Sequence, residues 1–182
     1  MTYYTPRLIL KTLDESYAEN VLNFYLENKG LFEQYESTRP DNFYTIDYIK
    51  LVLAWEMTTV EKGSAVRFWV FEPGNEKKII GTVSFQNMDH STYRSCRLGY
   101  KFHQSFHHMG YGFEAVLHSC DIIFSDFNIH RIEAHTMPSN IPSIKLLEKV
   151  GFQYEGLLRD YAKIQGQFRD HKLYSLISPY SS

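Results

Sequence analysis

The sequence predicts an α+β (mixed α/β) fold in which helices flank one central sheet. The chain has 182 residues, a length typical of one domain with a full hydrophobic core. No repeat, linker or low-complexity segment divides it, so we expect a single domain over residues 1–182. Strand and helix patterns also occur in mixed order: a strand, two helices, three strands, and then helix and strand in alternation.

The chain begins with a predicted strand over residues 7–13 and a helix that Asp14 or Ser16 can cap. A turn-rich stretch around Pro40 separates this helix from a second one, predicted over residues 45–61. The second helix has one face formed by Tyr48, Val52, Trp55 and Thr59.

Three β-like runs follow, at residues 66–71, 79–85 and 96–102. Pro73-Gly74-Asn75 predicts a hairpin turn between the first two runs. After these runs the spacing of the apolar residues changes, and an apolar stripe at helical spacing predicts an amphipathic helix. The members of the stripe are Phe113, Val116, Leu117, Cys120, Ile123, Phe124 and Phe127.

The last third of the chain alternates between strand and helix. A strand is predicted over residues 129–136 and a helix over residues 139–150, with Ser139 or Asn140 as its cap. Gly151 stands where a helix commonly ends in the left-handed conformation. Two further strands, at residues 154–163 and 168–176, are joined by a turn at Gln165-Gly166.

Composition and charge argue against several classes of protein. The formal net charge is −2 and the isoelectric point is near 6.4. The chain therefore lacks the excess of basic residues that would predict a nucleic-acid partner. The two cysteines, Cys96 and Cys120, form neither a disulfide framework nor a metal-binding spacing. No apolar run is long enough to span a bilayer, and the N-terminus lacks the pattern of a signal peptide. We therefore expect a cytoplasmic protein without a membrane partner.

Glycines stand between a predicted strand end and a helix start, in the segment His107-His108-Met109-Gly110-Tyr111-Gly112. Such glycines let backbone N–H groups face a ligand, and the positive end of the helix dipole favours a phosphate. A purely steric turn is the competing interpretation. Gly110, Gly112 and Ala115 also spell a G-x-G-x-x-A dinucleotide pattern. That pattern requires its first glycine directly after the strand, which is not the case here.

Further blocks of residues follow this segment in a recognisable order. They are His130-Arg131-Ile132-Glu133-Ala134, Ser139-Asn140-Ile141-Pro142-Ser143, Leu147-Glu148-Lys149-Val150-Gly151-Phe152, Glu155-Gly156 and Arg159-Asp160. Together they resemble the GNAT superfamily of acetyltransferases, and within it the RimJ/RimL-like group that contains the ribosomal-protein alanine N-acetyltransferases. The glycine segment stands where that superfamily has its Q/R-x-x-G-x-G/A pyrophosphate loop. The resemblance is strongest over residues 98–176.

The resemblance implies a twisted mixed sheet in which two parallel strands splay apart and hold acetyl-CoA as co-substrate. Here these strands would be residues 98–102 and 129–136. The amine would attack the thioester directly, without a metal. The cofactor-binding residues implied are Tyr100, Lys101, Phe102, His107, His108, Met109, Gly110, Tyr111, Gly112, Phe113, Asn140 and Ser143.

Two positions depart from the pattern of the superfamily. His107 replaces the usual Gln or Arg of the loop, which weakens charge compensation of the phosphates unless a histidine is protonated. Leu147 replaces a Tyr that protonates the departing thiolate in many members. Ser143 is the nearest alternative, and the resemblance makes it the candidate catalytic residue. The competing interpretation of Ser143 is a serine that bonds a backbone amide in the first helical turn.

The acceptor is the least specified part of the prediction. Glu33, Glu36 and Asp89 are candidate substrate-binding carboxylates, because their segments can border the acceptor cleft. A protein N-terminal α-amine is the first choice of acceptor. A polyamine, an antibiotic or an amino acid is the alternative, and a non-catalytic acyl-CoA-binding module is a third interpretation. A deep cleft closed by the helix over residues 45–61 would favour a small amine, whereas an open groove would favour a peptide terminus. A symmetric homodimer is an open alternative that no feature of the sequence supports.

Overall fold

The chain folds around one mixed sheet, which has eight strands within residues 1–180, the part described by the computed structural model. The order across the sheet is β1-β2-β3-β4-β5-β6-β8-β7, and every neighbouring pair is antiparallel except β5 and β6. This confirms the predicted fold class. The strands are β1 (Thr2–Tyr4), β2 (Ile9–Lys11), β3 (Val66–Phe71), β4 (Gly81–Asp89), β5 (Ser95–Phe102), β6 (Arg131–Thr136), β7 (Gln153–Ile164) and β8 (Gln167–Ile177).

Helices pack on both faces of the sheet. They are α1 (Ala18–Glu27), α2 (Lys29–Phe32), α3 (Ile46–Glu61), α4 (Tyr111–Asp126) and α5 (Ile141–Val150), with short 3-10 turns at Glu15–Tyr17 and Gln104–Phe106. We call the two sides the α4 face, which also carries α5, and the α3 face, which also carries α1 and α2. None of the helices within residues 1–180 is both long and apolar enough to cross a membrane.

Strand β3 shows how the two halves of the core are built. Successive side chains of a strand point to opposite faces. Phe68 and Val70 are buried in the cluster that contains α4 and α5, whereas Trp69 and Phe71 are buried in the cluster that contains α1 and α3. An aromatic and β-branched strand at this place therefore stabilises both layers at once.

Local capping signals account for several of the helix ends. Asp14 accepts a hydrogen bond from the Ser16 N–H, and Thr45 accepts one from the Tyr48 N–H. Asn140 caps α5, and Gly151 ends it in the left-handed conformation, with φ of 110°. The predicted cap at Asn140 and the predicted stop at Gly151 are confirmed, whereas Asp14 caps the 3-10 turn that precedes α1 rather than α1 itself. The Gln165-Gly166 turn has positive φ at both positions, as a tight hairpin requires.

Two details of the prediction are wrong. The strand predicted over residues 7–13 covers only Ile9–Lys11, because Arg7 lies in a turn closed by the Thr5 N–H and the Leu8 carbonyl. The face predicted for the second helix is also wrong at Trp55, whose side chain is 61% exposed. Helix α3 has apolar residues on several sides, and the stripe that packs is Ile49, Leu53, Glu56 and Thr59.

Candidate active site

Strands β5 and β6 separate part of the way along their length. Parallel pairing runs from Ser95 opposite Arg131 to Leu98 opposite Ala134 and then stops. Beyond this point β5 continues to Phe102 with β4 as its only strand partner among residues 1–180, and β6 continues with β8. The predicted splay is therefore present between the two strands named in the sequence analysis. Backbone groups that face this gap have no partner strand and are available to an amide-bearing ligand.

Hydroxyl groups line the gap on the α4 face. The Tyr100 hydroxyl lies 2.8 Å from Ser143 Oγ and 3.2 Å from the Ser143 carbonyl oxygen. Burial raises the pKa of Tyr100, so its phenol is neutral and keeps its proton at cellular pH. Thr136, the last residue of β6, has a buried hydroxyl without a hydrogen-bond partner within residues 1–180. A buried hydroxyl without a partner is costly and marks a place where a ligand group can bond.

Ser143 does not play the capping role that was the competing interpretation. Asn140 Oδ1 accepts the Ser143 backbone N–H at 3.3 Å and so caps α5. The Ser143 hydroxyl instead contacts Tyr100. Its side chain is therefore directed at the gap between the splayed strands.

The predicted phosphate loop lies directly before α4. His107, His108, Met109 and Gly110 are exposed, and Gly110 is the N-cap of α4 with φ of 80°. The first N–H groups of α4 have no intrahelical acceptor, and no side chain within residues 1–180 caps this helix end, so these groups remain available to a ligand. His107 Nε2 lies 3.0 Å from the Phe102 carbonyl oxygen, which ties the loop to the end of β5. The arrangement resembles the anion-binding sites that helix N-termini provide.

Gly112 has a packing role as well. A Cβ at this position would lie 3.0 Å from Leu146 Cδ1 and 3.4 Å from the ring of Phe102. The missing side chain therefore allows α4 to approach both α5 and β5. The neighbouring Phe113 lies on another side of the helix, where its ring contacts the Lys149 ammonium at 4.6 Å from the ring centre.

On the α3 face, Glu36 joins the segment after α2 to the splayed part of β5. Its carboxylate forms ion pairs with Lys101 and with Arg39. The Lys101 side chain thus points away from the predicted phosphate loop, and only the Lys101 backbone faces the gap. Glu33 accepts a hydrogen bond from the Tyr44 hydroxyl at 2.7 Å. Gln165 of the β7–β8 turn donates to the Glu33 carbonyl at 3.2 Å, which brings that hairpin next to the same segment.

Asp89 lies apart from the other two carboxylates. It is at the end of β4, where it is opposite Ser95, and β5 must run on to Leu98 before the splay begins. The Asp89 carboxylate accepts the Ser91 N–H at 2.7 Å, and hydrogen bonds from Ser91 lower its pKa. The structure therefore brings Glu33 and Glu36 together but leaves Asp89 at the other end of the strand pair.

A cluster of polar side chains that the sequence analysis missed lies on the α3 face next to the gap. Arg97 donates to the Tyr161 hydroxyl at 3.3 Å, and the Tyr161 ring meets the His135 ring edge-on at 4.7 Å. His135 Nε2 lies 3.7 Å from the Glu133 carboxylate, and its Nδ1 is buried without a partner within residues 1–180. Burial lowers the pKa of His135, which keeps the ring neutral. Residues two apart in a strand point to the same face, so the sequence could have indicated that Glu133 and His135 lie together. It could not have indicated that Tyr161 contacts them.

Arg7 was also missed, although it contacts the predicted phosphate loop directly. Its Nη1 donates to the Met109 carbonyl at 3.0 Å, and its Nε donates to Glu114 at 2.6 Å. No sequence spacing connects positions 7 and 114, so only the folded chain reveals this contact.

Comparison with known proteins supports what the geometry indicates. The sequence model of the acetyltransferase (GNAT) domain matches residues 7–153. The [ribosomal protein uS5]-alanine N-acetyltransferase of Escherichia coli (strain K12) is 33% identical over 175 residues, covering 96% of this chain and 90% of the relative.

Solved structures agree. The ribosomal-protein-S5-alanine acetyltransferase from Vibrio fischeri has a TM-score of 0.92 at 29% identity and covers 98% of this chain and 97% of its own. RimJ of Mycobacterium smegmatis, solved in complex with CoA-disulfide, has a TM-score of 0.89 at 25% identity and covers 96% of this chain and 85% of its own. With its splayed strands, uncapped helix end and matching sequence, this chain belongs to the GNAT family of acetyl-CoA-dependent N-acetyltransferases.

Proposed function

We propose that the enzyme acetylates the α-amine of a protein N-terminus, with acetyl-CoA held between the splayed strands and the N-terminus of α4. A relative that matches nearly the whole chain supports this choice, because the Escherichia coli enzyme is named for acetylating an alanine of ribosomal protein uS5. The identity of 33% supports the class of acceptor rather than the particular protein.

Three features of the chain fit acetyl-CoA. The end of α4 without a side-chain cap suits the pyrophosphate, in the loop that runs from His107 to Gly112. The backbone of Tyr100, Lys101 and Phe102 faces the gap and suits the amides of the pantetheine arm. The unpartnered Thr136 hydroxyl is a further donor at the gap. These features support the assignment of the predicted residues to cofactor binding.

Ser143 is the residue that we assign to the departing thiolate. Bound acetyl-CoA supplies a thioester whose carbonyl carbon the amine attacks. When the carbon–sulfur bond breaks, the sulfur gains negative charge, and a positioned hydroxyl stabilises that charge by donating a hydrogen bond. The neutral Tyr100 phenol can donate to Ser143 Oγ and so orient the serine proton toward the gap. Leu147 is buried and contains no donor.

One observation carries the choice of an α-amine: the carboxylates near the gap are already engaged. Glu36 pairs with two cations, Glu33 accepts a tyrosine hydroxyl, and Glu133 pairs with Arg131 at 2.9 Å. A paired carboxylate is a weak base. An α-amine, with a pKa of about 7.7–8.0, is already partly neutral at cellular pH, whereas a lysine amine at about 10.4 needs a strong base.

The shape of the α3 face favours a peptide over a small amine. Helices α1 and α3 pack on β2 and β3, where they bury Ile9 and Trp69. Helix α3 therefore lies to one side of the gap and does not close over it. Gly99 of β5 is exposed, and Tyr161 of β7 is 39% exposed. This open groove suits an extended chain terminus.

The test is a matched set of acceptors. One peptide begins with a free alanine, a second has the same sequence with a formylated α-amine and one internal lysine, and spermidine represents small amines. We expect the free terminus to exceed both others in kcat/KM by roughly a hundredfold, since about 2.5 pH units separate the two amine pKa values. Faster acetylation of spermidine or of the internal lysine would overturn the choice of acceptor.

A further inference from the structure

The phosphate loop contains no permanently charged cation of its own. Residues 107–112 contain neither Arg nor Lys, and the first loop position, commonly Gln or Arg in the superfamily, is His107. The folded chain brings a guanidinium to this loop from the N-terminal segment. Arg7 stands just before β2, and 102 residues separate it from Met109, whose carbonyl it contacts.

The Arg7 guanidinium makes a set of contacts that fixes its position. Nε donates to Glu114 Oε2 at 2.6 Å, and Nη1 donates to the Met109 carbonyl at 3.0 Å. The guanidinium carbon lies 4.7 Å from the centre of the Tyr111 ring. The group therefore touches the loop, the first residue of α4 and the first turn of that helix. A planar fork with several donors suits such simultaneous contacts.

Glu114 holds the Arg7 guanidinium in this position. Its side chain is 10% exposed and also accepts the Arg7 backbone N–H at 2.8 Å and the Thr5 hydroxyl at 2.6 Å. Burial alone would raise the pKa of Glu114, but the hydrogen bonds from Thr5 and Arg7 outweigh it and lower the pKa. The carboxylate is thus ionised and holds Arg7 in one orientation.

The contact with Met109 has a geometric consequence for the loop. The C=O and the following N–H of a planar trans peptide point in opposite directions, and this chain has no cis peptide within residues 1–180. When Arg7 binds the Met109 carbonyl, the Gly110 N–H must point away from Arg7. Arg7 Nη2 would lie only 3.3 Å from a Cβ at Gly110, so the guanidinium also occupies one side of that residue.

We propose that Arg7 is a positioning residue of the phosphate loop: it turns the Met109–Gly110 peptide so that the Gly110 N–H faces the pyrophosphate of acetyl-CoA. The proposal rests on the proposed cofactor site. It explains how a loop without a lysine or arginine keeps its amides oriented, because an oriented N–H binds a phosphate without the entropy cost of ordering the loop. Arg7 contacts the carbonyl side of this peptide, opposite its N–H, and therefore acts on the phosphate only through the orientation of the peptide.

The experiment measures binding by calorimetry for CoA and for dephospho-CoA, which keeps the pyrophosphate but lacks the 3′-phosphate. Arg7→Met removes the donors and keeps an apolar stem, whereas Arg7→Lys keeps a charge but cannot form the fork. The matched control is Arg94→Met, because Arg94 likewise bonds a loop carbonyl, that of Asn128, at 3.1 Å. We expect Arg7→Met to raise Kd about tenfold for both ligands, with a smaller rise for Arg7→Lys and no change for the control.

A merely structural role would lower Tm without changing Kd of the folded protein, so both are measured. Wild-type affinity for CoA in folded Arg7→Met overturns the proposal and leaves the acetyltransferase function intact. A loss seen with CoA but not with dephospho-CoA also overturns it, because the arginine would then act on the 3′-phosphate. If Arg7→Met does not fold, Arg7→Lys decides, and an unchanged Kd overturns the proposal. Failure of the wild-type protein to bind CoA would overturn the cofactor site together with this inference.

Discussion

The hydroxyl groups of Tyr100 and Ser143 lie 2.8 Å apart, one on β5 and the other in the first turn of α5. They meet where β5 has left β6. Since Asn140 caps α5, Ser143 is free to interact with a ligand. Since burial keeps the Tyr100 phenol neutral, the pair carries protons that can be donated but no charge that would repel a thiolate.

Ser143→Ala should lower kcat roughly tenfold, because one hydrogen bond to the developing thiolate is lost. The KM for acetyl-CoA should stay within about twofold, since the loop and the strand backbone are untouched. Steady-state kinetics of thiol release measure both values. The matched control is Ser139→Ala, an exposed serine just before α5. Unchanged turnover in Ser143→Ala would exclude the assigned role.

Tyr100→Phe should reproduce the Ser143→Ala defect, because the phenol is proposed to act only by orienting the serine. The double variant should then be no slower than either single variant, which is the signature of residues that act as one unit. The pKa of Tyr100 is raised, so no step in the pH profile between pH 6 and 9 should disappear with the phenol. Additive losses would show that the two hydroxyls act separately.

Local signals were sufficient for much of this fold. The caps at Asp14, Thr45 and Asn140 and the turn at Gly151 depend on neighbours a few residues away, and the sequence contains those neighbours. The order of the strands around the splay followed from the resemblance rather than from periodicity. Helix α3 was misjudged at Trp55 because its apolar residues lie on more than one side, and only the sheet beneath it selects one of them.

Contacts between distant parts of the chain could not be predicted. The Arg7–Glu114 pair spans 107 residues and the Lys101–Glu36 pair spans 65, and no spacing rule connects such positions. Both pairs belong to the site. The motif therefore predicts the backbone part of the candidate site, whereas the side chains that orient it depend on tertiary packing.

Comparing Gly110→Ala with Gly166→Ala should separate the effect of backbone strain on stability from the effect of the substitution on CoA binding. Gly110 and Gly166 both have φ of 80°, so alanine at either position should cost a similar 1–2 kcal/mol, roughly the penalty of the left-handed region. Only Gly110 belongs to the predicted phosphate loop, and its Cβ would crowd Arg7 at 3.3 Å, whereas no atom of the described residues lies within 4 Å of a Cβ at Gly166. Urea unfolding should show similar losses in both variants, and calorimetry with CoA should show weaker binding in Gly110→Ala alone. Equal CoA affinity in the two variants would contradict the loop assignment.

Glu36→Gln should raise the KM for the acceptor about fivefold and leave the KM for acetyl-CoA unchanged. The neutral side chain would leave Lys101 and Arg39 without their counter-ion at the groove, and two cations repel an incoming ammonium group. The effect should shrink as salt is added, because these groups are partly exposed. Glu61→Gln, at the exposed end of α3, is the matched control. An equal change in both variants would mean that overall charge, rather than the groove, sets the acceptor affinity.

His135 should make the folded state sensitive to mild acid. Burial, the largest cause, lowers its pKa below the ordinary 6.5; Arg97 and His171 lower it further, while Glu133 opposes the shift. The unfolded chain therefore binds this proton more tightly than the folded protein does. Stability should be fully present above pH 6.5 and should fall as the pH drops from 6.5 toward the lowered pKa.

Urea unfolding of the wild type and of His135→Gln at pH 7.5 and pH 5.5 measures this contribution. The wild type should lose more stability between the two values than the variant, because the variant has no buried ring to protonate. His90→Gln is the control, since His90 is exposed and its Nε2 lies 2.7 Å from the Gly63 carbonyl oxygen. An equal loss in the wild type and in His135→Gln would mean that other groups cause the acid sensitivity. A smaller loss in His135→Gln alone would support a neutral imidazole at the acceptor groove.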